Sequence, residues 1–532
     1  MIAFEFVGKN KPEGYKVIRC HLIFDIKMNL TRKARIVAEG NRATPDADVP
    51  VYASVVSRES VRILFAIASL NNLKIRAADI TNAFLNAPCL ENICFKAGPE
   101  FGDKEGQWVI VRRALYGLVS SSAAFAIHRN QVLYNMGFLP CEADPDVWMR
   151  RSKRQDGQGD YYEYIAAYVD DVLAISENPD AIMKEISEAY DLKKIPGQDL
   201  PWESPKQYLG ADVGYDAEKQ CWCTGAQTYI ENTLKTVQSK LKEKGLKLNH
   251  NAKSPYPTNY RPELDMSDYL DKSDHNLFQQ FIGILNWIIE LGRIESHNAV
   301  ARLSAFLAAP RVGHLRAALH IFSFLKQTNN LLIPFDMSLD DLPDDYNKTY
   351  SWERFYPDAF EIDELPPKMP EPLGPPVRIN CFVDADHAGD QATRRSYTGI
   401  ILMINKAWVS SFSKRQNTVE AATFGSEIIA ARLAKEKVQA LFYKLRMMGI
   451  KIDGPAIMRI DNNSVVNSVS FPESKLKKKH LSVCYHAVRE AIAANIIRVC
   501  WIATDDNIAD LCTKILYGDK LNNLMKKAGM IW

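Results

Sequence analysis

The stretch YEYIAAYVDDVLAIS at 162–176 is apolar on both sides of a single acidic pair, Asp170 and Asp171. Such a run can be covered on both faces of a sheet, whereas two adjacent carboxylates resist burial with it. The sequence therefore predicts two strands joined at Asp170–Asp171, with the acids at the turn. Like charges held this close raise a carboxyl pKa unless a cation lies between them, and a divalent metal resolves the conflict. Asp79, which closes the short strand LKIRAAD, supplies a third ligand if the two strands are neighbours. From spacing alone, an Asx-type turn without chemistry explains the pair more simply.

The rest of the chain fits a mixed fold. Residues 15–40 alternate apolar and polar side chains on both sides of KMNLTRK, which predicts a hairpin with a basic turn. Helical spacing is present over 58–72, 112–137, 177–192 and 223–245, and over two or three segments within 274–328 broken near Pro310 and Gly313. Between 331 and 376 lie eleven acidic and three basic residues, with six prolines in 366–376, a composition that solvates well and packs poorly. A domain boundary is predicted there. Removing that segment's net charge of −8 from the total of +2 leaves +10 on the remainder, compatible with phosphate binding. With 532 residues and 24% charged side chains, the chain is neither a miniprotein nor disordered. Its ten cysteines form no CxxC pairs and its ten histidines no HExxH or C2H2 set, which argues against zinc and a disulfide scaffold. No apolar run reaches membrane-spanning length, so no membrane partner is predicted.

A second set of acids follows the proline-rich segment. Asp384 ends the strand VRINCFVD and Asp461 ends the strand AIMRI; as sheet neighbours they would emerge at one edge. Glu427 stands near the start of a long helix at about 424–448, and Asp510 lies in DNIADLCTK near the start of the last helix. Four acids from separate elements can cradle two cations that activate water against a phosphodiester. Each alone is more simply a solvated strand end.

The flanking motifs weigh differently. TRKARIVAEG at 31–40, ADITNAFLNA at 78–87, RALYGL at 113–118, YVDD at 168–171 and QYLG at 207–210 resemble, in order, the reverse transcriptase of Ty1/copia-type retrotransposons. FVDADHAGD at 382–390, RRSYTG at 394–399, WVSSFSKRQNTV at 408–419, SEIIA at 426–430, IDNNSV at 460–465, KKKH at 477–480 and IADLCTK at 508–514 resemble the ribonuclease H domain of the same elements. The resemblance spans about residues 15–330 and 378–515.

It implies an α+β right-hand polymerase with palm, fingers and a helical thumb-like part, followed by an α/β ribonuclease H-like domain. Fingers and palm would occupy 15–250, a helical thumb or connection 251–330, a linker 331–376 and the nuclease 377–520. By match, Asp79, Asp170 and Asp171 are the polymerase metal ligands and Asp384, Glu427, Asp461 and Asp510 those of the nuclease, with two Mg2+ or Mn2+ ions per site. Asp386 is a nearby acid rather than a ligand, and Gly425 stands where the family often has a second glutamate. Lys33, Arg35, Tyr116, Gly117 and Ser120 would face the incoming nucleotide, and Lys414 and Arg415 the hybrid backbone. The lysines at 475 and 477–479 with His480 form a further cationic patch, for phosphate or simply a soluble loop, and either His486 or Arg489, on one helix face, is placed to assist product release, with buried packing the simpler reading for His486. Where the family continues LYGLKQAPRxW this chain reads LYGLVSSSAAF, losing charge and amide hydrogen bonding; restoring Gln at Ser120 should raise polymerase efficiency. Implied partners are an RNA template, a DNA or RNA primer, an RNA–DNA hybrid and dNTPs, with self-association. Implied localisation is cytoplasmic, in virus-like particles, with nuclear entry. The chain would be the carboxyl-terminal part of a polyprotein, or a separate reading frame left by one. Two rival readings remain, a decayed copy with one dead site and a non-enzymatic nucleic-acid-binding remnant.

Overall fold

The computed structural model describes every residue except 1–2, 27–31, 41–45, 158, 246, 249–250, 360–367 and 531–532. Two compact units are present, one formed by residues 1–57 and 74–204 and the other by 58–73 and 205–532. Both mix helix and sheet.

In the first unit, strands β1 (Cys20–Ile26) and β2 (Arg32–Ala38) form the expected antiparallel hairpin, with Asp25 opposite Lys33 and Ile23 opposite Arg35. Its basic turn at 27–31 lies outside the described residues. The next helix, α1 (Arg58–Leu70), belongs to the second unit. After it come β3 (Lys74–Asp79), α2 (Ser121–Asn135), β4 (Leu139–Cys141), β5 (Asp144–Lys153), β6 (Asp160–Tyr168), β7 (Asp171–Ser176) and α3 (Pro179–Ala189). The strands make one antiparallel sheet in the order β3-β7-β6-β5-β4. Ile165, Val172 and Ala174 of its central strands pack with Phe125 and Leu133 of α2 and Ile182 and Ile186 of α3. Burial of β6 and β7 on both faces explains why their sequence is apolar rather than alternating.

Two local expectations are corrected. The hairpin turns at Val169–Asp170, one residue earlier than read from the sequence, so Asp171 already lies in β7 opposite Tyr168. A two-residue hairpin turn favours a left-handed residue at its first position, and Val169 takes it at φ +54°, an unfavourable conformation for a β-branched side chain. The helix expected from 112 begins only at Ser121. Residues 113–118 instead run beside β2, with Ala38 N donating to Tyr116 O at 2.8 Å, and Gly117 turns the chain at φ +90°. A Cβ on Gly117 would collide with the Ala38 carbonyl.

The second unit contains α4 (Gln227–Glu243), α5 (Lys272–Glu290), α6 (His297–Ser304) and α7 (Val312–Gln327), packed around Phe278, Phe281, Leu285, Ile321 and Phe322. Beyond them lie β8 (Ile379–Asp386), β9 (Tyr397–Ile404), β10 (Ala407–Arg415), α8 (Thr423–Met447), β11 (Ala456–Ile460), α9 (Asn463–Ser470), α10 (Ser482–Ala493) and β12 (Ile497–Trp501). Sheet order is β10-β9-β8-β11-β12: the first three strands are antiparallel and β11 and β12 run parallel to β8. Ala430, Ala431 and Ala434 are fully buried along α8, and their small side chains let that helix approach β8 closely.

The acidic segment does not behave as an unpacked linker where it is described. Asp340 pairs with the buried Arg459 at 2.5 Å, and Trp352 lies 4.8 Å from the Arg489 guanidinium. Its acids and aromatics meet arginines of β11 and α10, interactions that a net-charge count does not reveal.

Candidate active sites

Antiparallel pairing of β3 and β7 sets Asp79 directly opposite Asp171, and Ile80 N donates to Asp170 O at 2.8 Å. All three acids therefore meet at one end of the sheet. Burial, then the neighbouring Asp170 and Asp79 charges, pushes the Asp171 carboxyl up to about 6. Asp170 is raised too, chiefly by burial, with Lys193 and Lys33 opposing the shift. The Lys193 ammonium pairs with Asp79 Oδ2, and its backbone N–H donates to Asp79 O at 2.9 Å. Lys193 was missed in the sequence, where a lysine in DLKK carries no distinguishing pattern.

Tyr116 stands beside these acids: burial and the Asp170 charge raise its hydroxyl pKa. Its ring lies 4.9 Å from Phe84 and 5.9 Å from the Arg35 guanidinium. Arg35 and Lys33 thus fall on the site's side of the hairpin. Ser120 does not: it is buried, and its hydroxyl donates to the buried Glu91 carboxylate. The expectation that it faces a nucleotide is corrected, because the turn after Gly117 carries the chain inward before α2 begins.

In the second unit, parallel pairing of Val383 with Ile460 brings the next residues, Asp384 and Asp461, out side by side. Glu427 enters from α8. One carboxylate oxygen from each of the three lies within 4.8 Å of the others, a set able to hold a divalent cation and the one such acidic group among the described residues. Glu427 Oε2 is buried without a hydrogen-bond partner, the state of an acceptor that a cation would satisfy. Burial, then Asp384 and Asp461, raises the Glu427 pKa well above the ordinary range, and Asp461 is raised by burial and Asp384.

Asp510 stands apart from this triad. It lies in a buried 3-10 turn (Ile508–Cys512), not a helix start, and Lys514 Nζ bridges it to Asp384, 2.6 Å from Asp510 Oδ1 and 3.3 Å from Asp384 Oδ1. Lys520 approaches the other Asp510 oxygen at 3.3 Å. Burial and Asp384 push the Asp510 carboxyl up to about 6 despite those lysines. Thr513 donates its hydroxyl to Asp384 Oδ2. The four-residue spacing of Asp510 and Lys514 was the available signal for this lysine.

The remaining positions separate. Lys414 is exposed on β10, whereas Arg415 is committed to the buried Asp390. His480 lies 3.0 Å from Glu420, whose carboxylate fills the space beside Gly425. Arg489 is buried and donates to the carbonyls of Ser468, Phe471 and Pro472 at 2.6–2.9 Å, while His486 bonds the Tyr356 hydroxyl at 2.6 Å. Arg489 thus holds the 468–472 turn, and the expected part in product release is corrected. Asp386 pairs with Arg302 rather than joining the triad.

Known proteins resemble this chain over most of its length. Residues 4–239 match the family described as reverse transcriptase (RNA-dependent DNA polymerase). The matched region makes the chain similar to the reverse transcriptases of Ty1/copia-type retrotransposon Pol polyproteins, and the relatives extend beyond it over most of the chain. It is 24% identical over 536 residues to the retrovirus-related Pol polyprotein from transposon RE1 of Arabidopsis thaliana, covering 98% of this chain and 32% of that polyprotein. It is 23% identical over 538 residues to the corresponding polyprotein from transposon TNT 1-94 of Nicotiana tabacum, covering 98% of this chain and 36% of that one. The chain spans about a third of the length of these relatives. Among solved structures, the foamy viral protease-reverse transcriptase in complex with double-stranded DNA aligns at TM-score 0.45 and 13% identity, covering 94% of this chain and 67% of that one. Among the described residues, no helix is long and apolar enough to cross a membrane.

Proposed function

We propose that this chain is an RNA-directed DNA polymerase that extends a primer with dNTPs at Asp79, Asp170 and Asp171. In the same reading it hydrolyses the RNA strand of the RNA–DNA hybrid at Asp384, Glu427, Asp461 and Asp510. The observation that carries it is the clustering of carboxylates from separate elements at two sheet ends, where burial together with Asp170 and Asp79 raises Asp171, and burial together with Asp384 raises Glu427, Asp461 and Asp510. Such clusters are stable when charge is supplied from outside the chain. Mg2+ or Mn2+, two per site, would activate a primer hydroxyl or water and offset charge on the phosphate.

The chain's own residues prepare each site. In the first, strand pairing fixes Asp79 against Asp171, and Lys193 balances Asp79. Lys33 and Arg35 supply cations suited to a triphosphate, and the Tyr116–Phe84 pair forms an apolar wall. In the second, Thr513 orients Asp384, Lys514 offsets the charge of Asp384 and Asp510, and exposed Lys414 suits a hybrid backbone. Palm, fingers and thumb assignments, the domain limits given above and the nucleic-acid partners belong to this reading. A second reading, a copy with weakened polymerase, rests on the VSSSAA departure at 119–124. Primer extension and hybrid cleavage with Mg2+ test both readings, compared with Asp170→Asn and Asp461→Asn. Extension should vanish only in the first variant and cleavage only in the second. Extension that persists in Asp170→Asn overturns the first assignment.

A further inference from the structure

Side chains of α6, which precedes the nuclease-like region, reach the end of its sheet that carries Asp384. Arg302, on α6 in the helical part that precedes the acidic segment, is 1% exposed. Its guanidinium donates to Asp386 Oδ2 at 2.7 Å, to Gly389 O at 3.1 Å and to Thr513 O at 3.2 Å. Nε donates to Asn298 Oδ1 at 2.9 Å, one turn back on α6, and Asn298 in turn donates to Cys512 O at 3.1 Å. The Tyr397 ring at the start of β9 lies 4.1 Å from the guanidinium carbon. One planar cation therefore ties the end of β8, which carries Asp384 and Asp386, to the 510–514 turn, which carries Asp510, Thr513 and Lys514.

We propose that Arg302 is a positioning residue for the nuclease site, fixing the distance between Asp384 and the Asp510–Lys514 turn from a helix that lies outside the nuclease-like region. The inference rests on the reading of Asp384, Glu427 and Asp461 as a cation-holding site. Its logic is that of an outer ligand shell. Thr513 bonds Asp384 through its hydroxyl while Arg302 holds the Thr513 carbonyl, so loosening Arg302 frees both the orienting hydroxyl and the neighbouring lysine. A lysine at 302 would keep the charge but lose the fork that reaches Asp386, Gly389 and Thr513 together. Loss of such outer-shell partners typically lowers metal affinity or activity by about 10–100-fold.

The test uses the full chain in four forms: wild type, Arg302→Lys, Asp386→Asn and Asp461→Asn. Asp386→Asn breaks the same pair from its more exposed side, so it serves if Arg302→Lys folds poorly. Mn2+ binding is measured by calorimetry without nucleic acid, and hybrid cleavage is titrated with Mg2+. Primer extension is measured on the same preparations. Arg302→Lys and Asp386→Asn should weaken Mn2+ binding and raise the half-saturating Mg2+ for cleavage by roughly tenfold. Their KM for hybrid and their primer extension should stay within about twofold of wild type, as an effect confined to cation placement requires. Unchanged Mn2+ binding and Mg2+ dependence in both variants, while Asp461→Asn loses both, overturns the role of Arg302 and leaves the site intact. Mn2+ binding that Asp461→Asn does not alter overturns the cation site itself and the inference with it.

Discussion

Asp171 offers the sharpest test of the Asp79–Asp170–Asp171 cluster because its effect on stability has a sign that depends on pH and metal. Its carboxyl is pushed up to about 6 by burial and by the charges of Asp170 and Asp79. In the unfolded chain an aspartate titrates near 4, so the folded state binds more protons between about pH 4 and 6 and loses stability as pH rises through that window. Below the window both states are protonated and there is no penalty; above it the penalty is complete. The displacement corresponds to roughly 3 kcal/mol, which screening of this half-buried group reduces to about 1–1.5 kcal/mol. For a unit of this size that is roughly 2–6 °C in Tm. Asp171→Asn should therefore melt higher than wild type at pH 8 in EDTA, with the gap shrinking towards pH 5, and Mg2+ should stabilise wild type more than the variant. Thermal melts across pH, with hydrogen exchange of residues 160–176 as the local readout, measure this directly. A variant that melts no higher than wild type at pH 8 in EDTA, or a gap that does not depend on pH, refutes the reasoning.

Glu427→Gln should raise Tm in EDTA, since it removes a buried charge opposed by Asp384 and Asp461, and should abolish hybrid cleavage; calorimetric melts and a cleavage assay check the opposite signs. Gly117→Ala should destabilise the first unit by about 1–3 kcal/mol and depress primer extension, because its φ of +90° is strained for alanine and its Cβ meets the Ala38 carbonyl; urea unfolding reads the loss. Ser120→Gln, which the sequence alone favours as a gain, should instead lower Tm and extension, since an amide must replace a buried hydroxyl held by Glu91 and overpacking typically costs about 1–3 kcal/mol. A rise in extension efficiency in that variant would restore the sequence reading.

Acids at the ends of apolar strands were legible because strand burial leaves a charge nowhere else to go, and this brought out Asp79, Asp384 and Asp461. The pairings that join them, β3 with β7 and β8 with β11, followed from treating those strands as neighbours. What escaped were partners supplied by tertiary packing. Lys193 and Arg302 look like ordinary surface cations in sequence, and only the fold sets them against Asp79 and Asp386. Ser120 misled because a motif position was taken for an orientation, when Gly117 had already turned the chain inward. The acidic segment misled because composition counts charges without showing the arginines that await them.

The placement of α1 bears on how the chain is made. As residues leave the ribosome, the path passes from one unit to the other at 57/58, returns at 73/74 and leaves again at 204/205. Helix α1 buries Phe65 against Trp222 and Phe335, and its Arg62 reaches Val409 O at 2.9 Å. Those partners are synthesised more than 150 residues later. Until those partners are made, the Phe65 face of α1 lacks the rings that cover it, and any truncation before residue 409 leaves that helix without part of its seat.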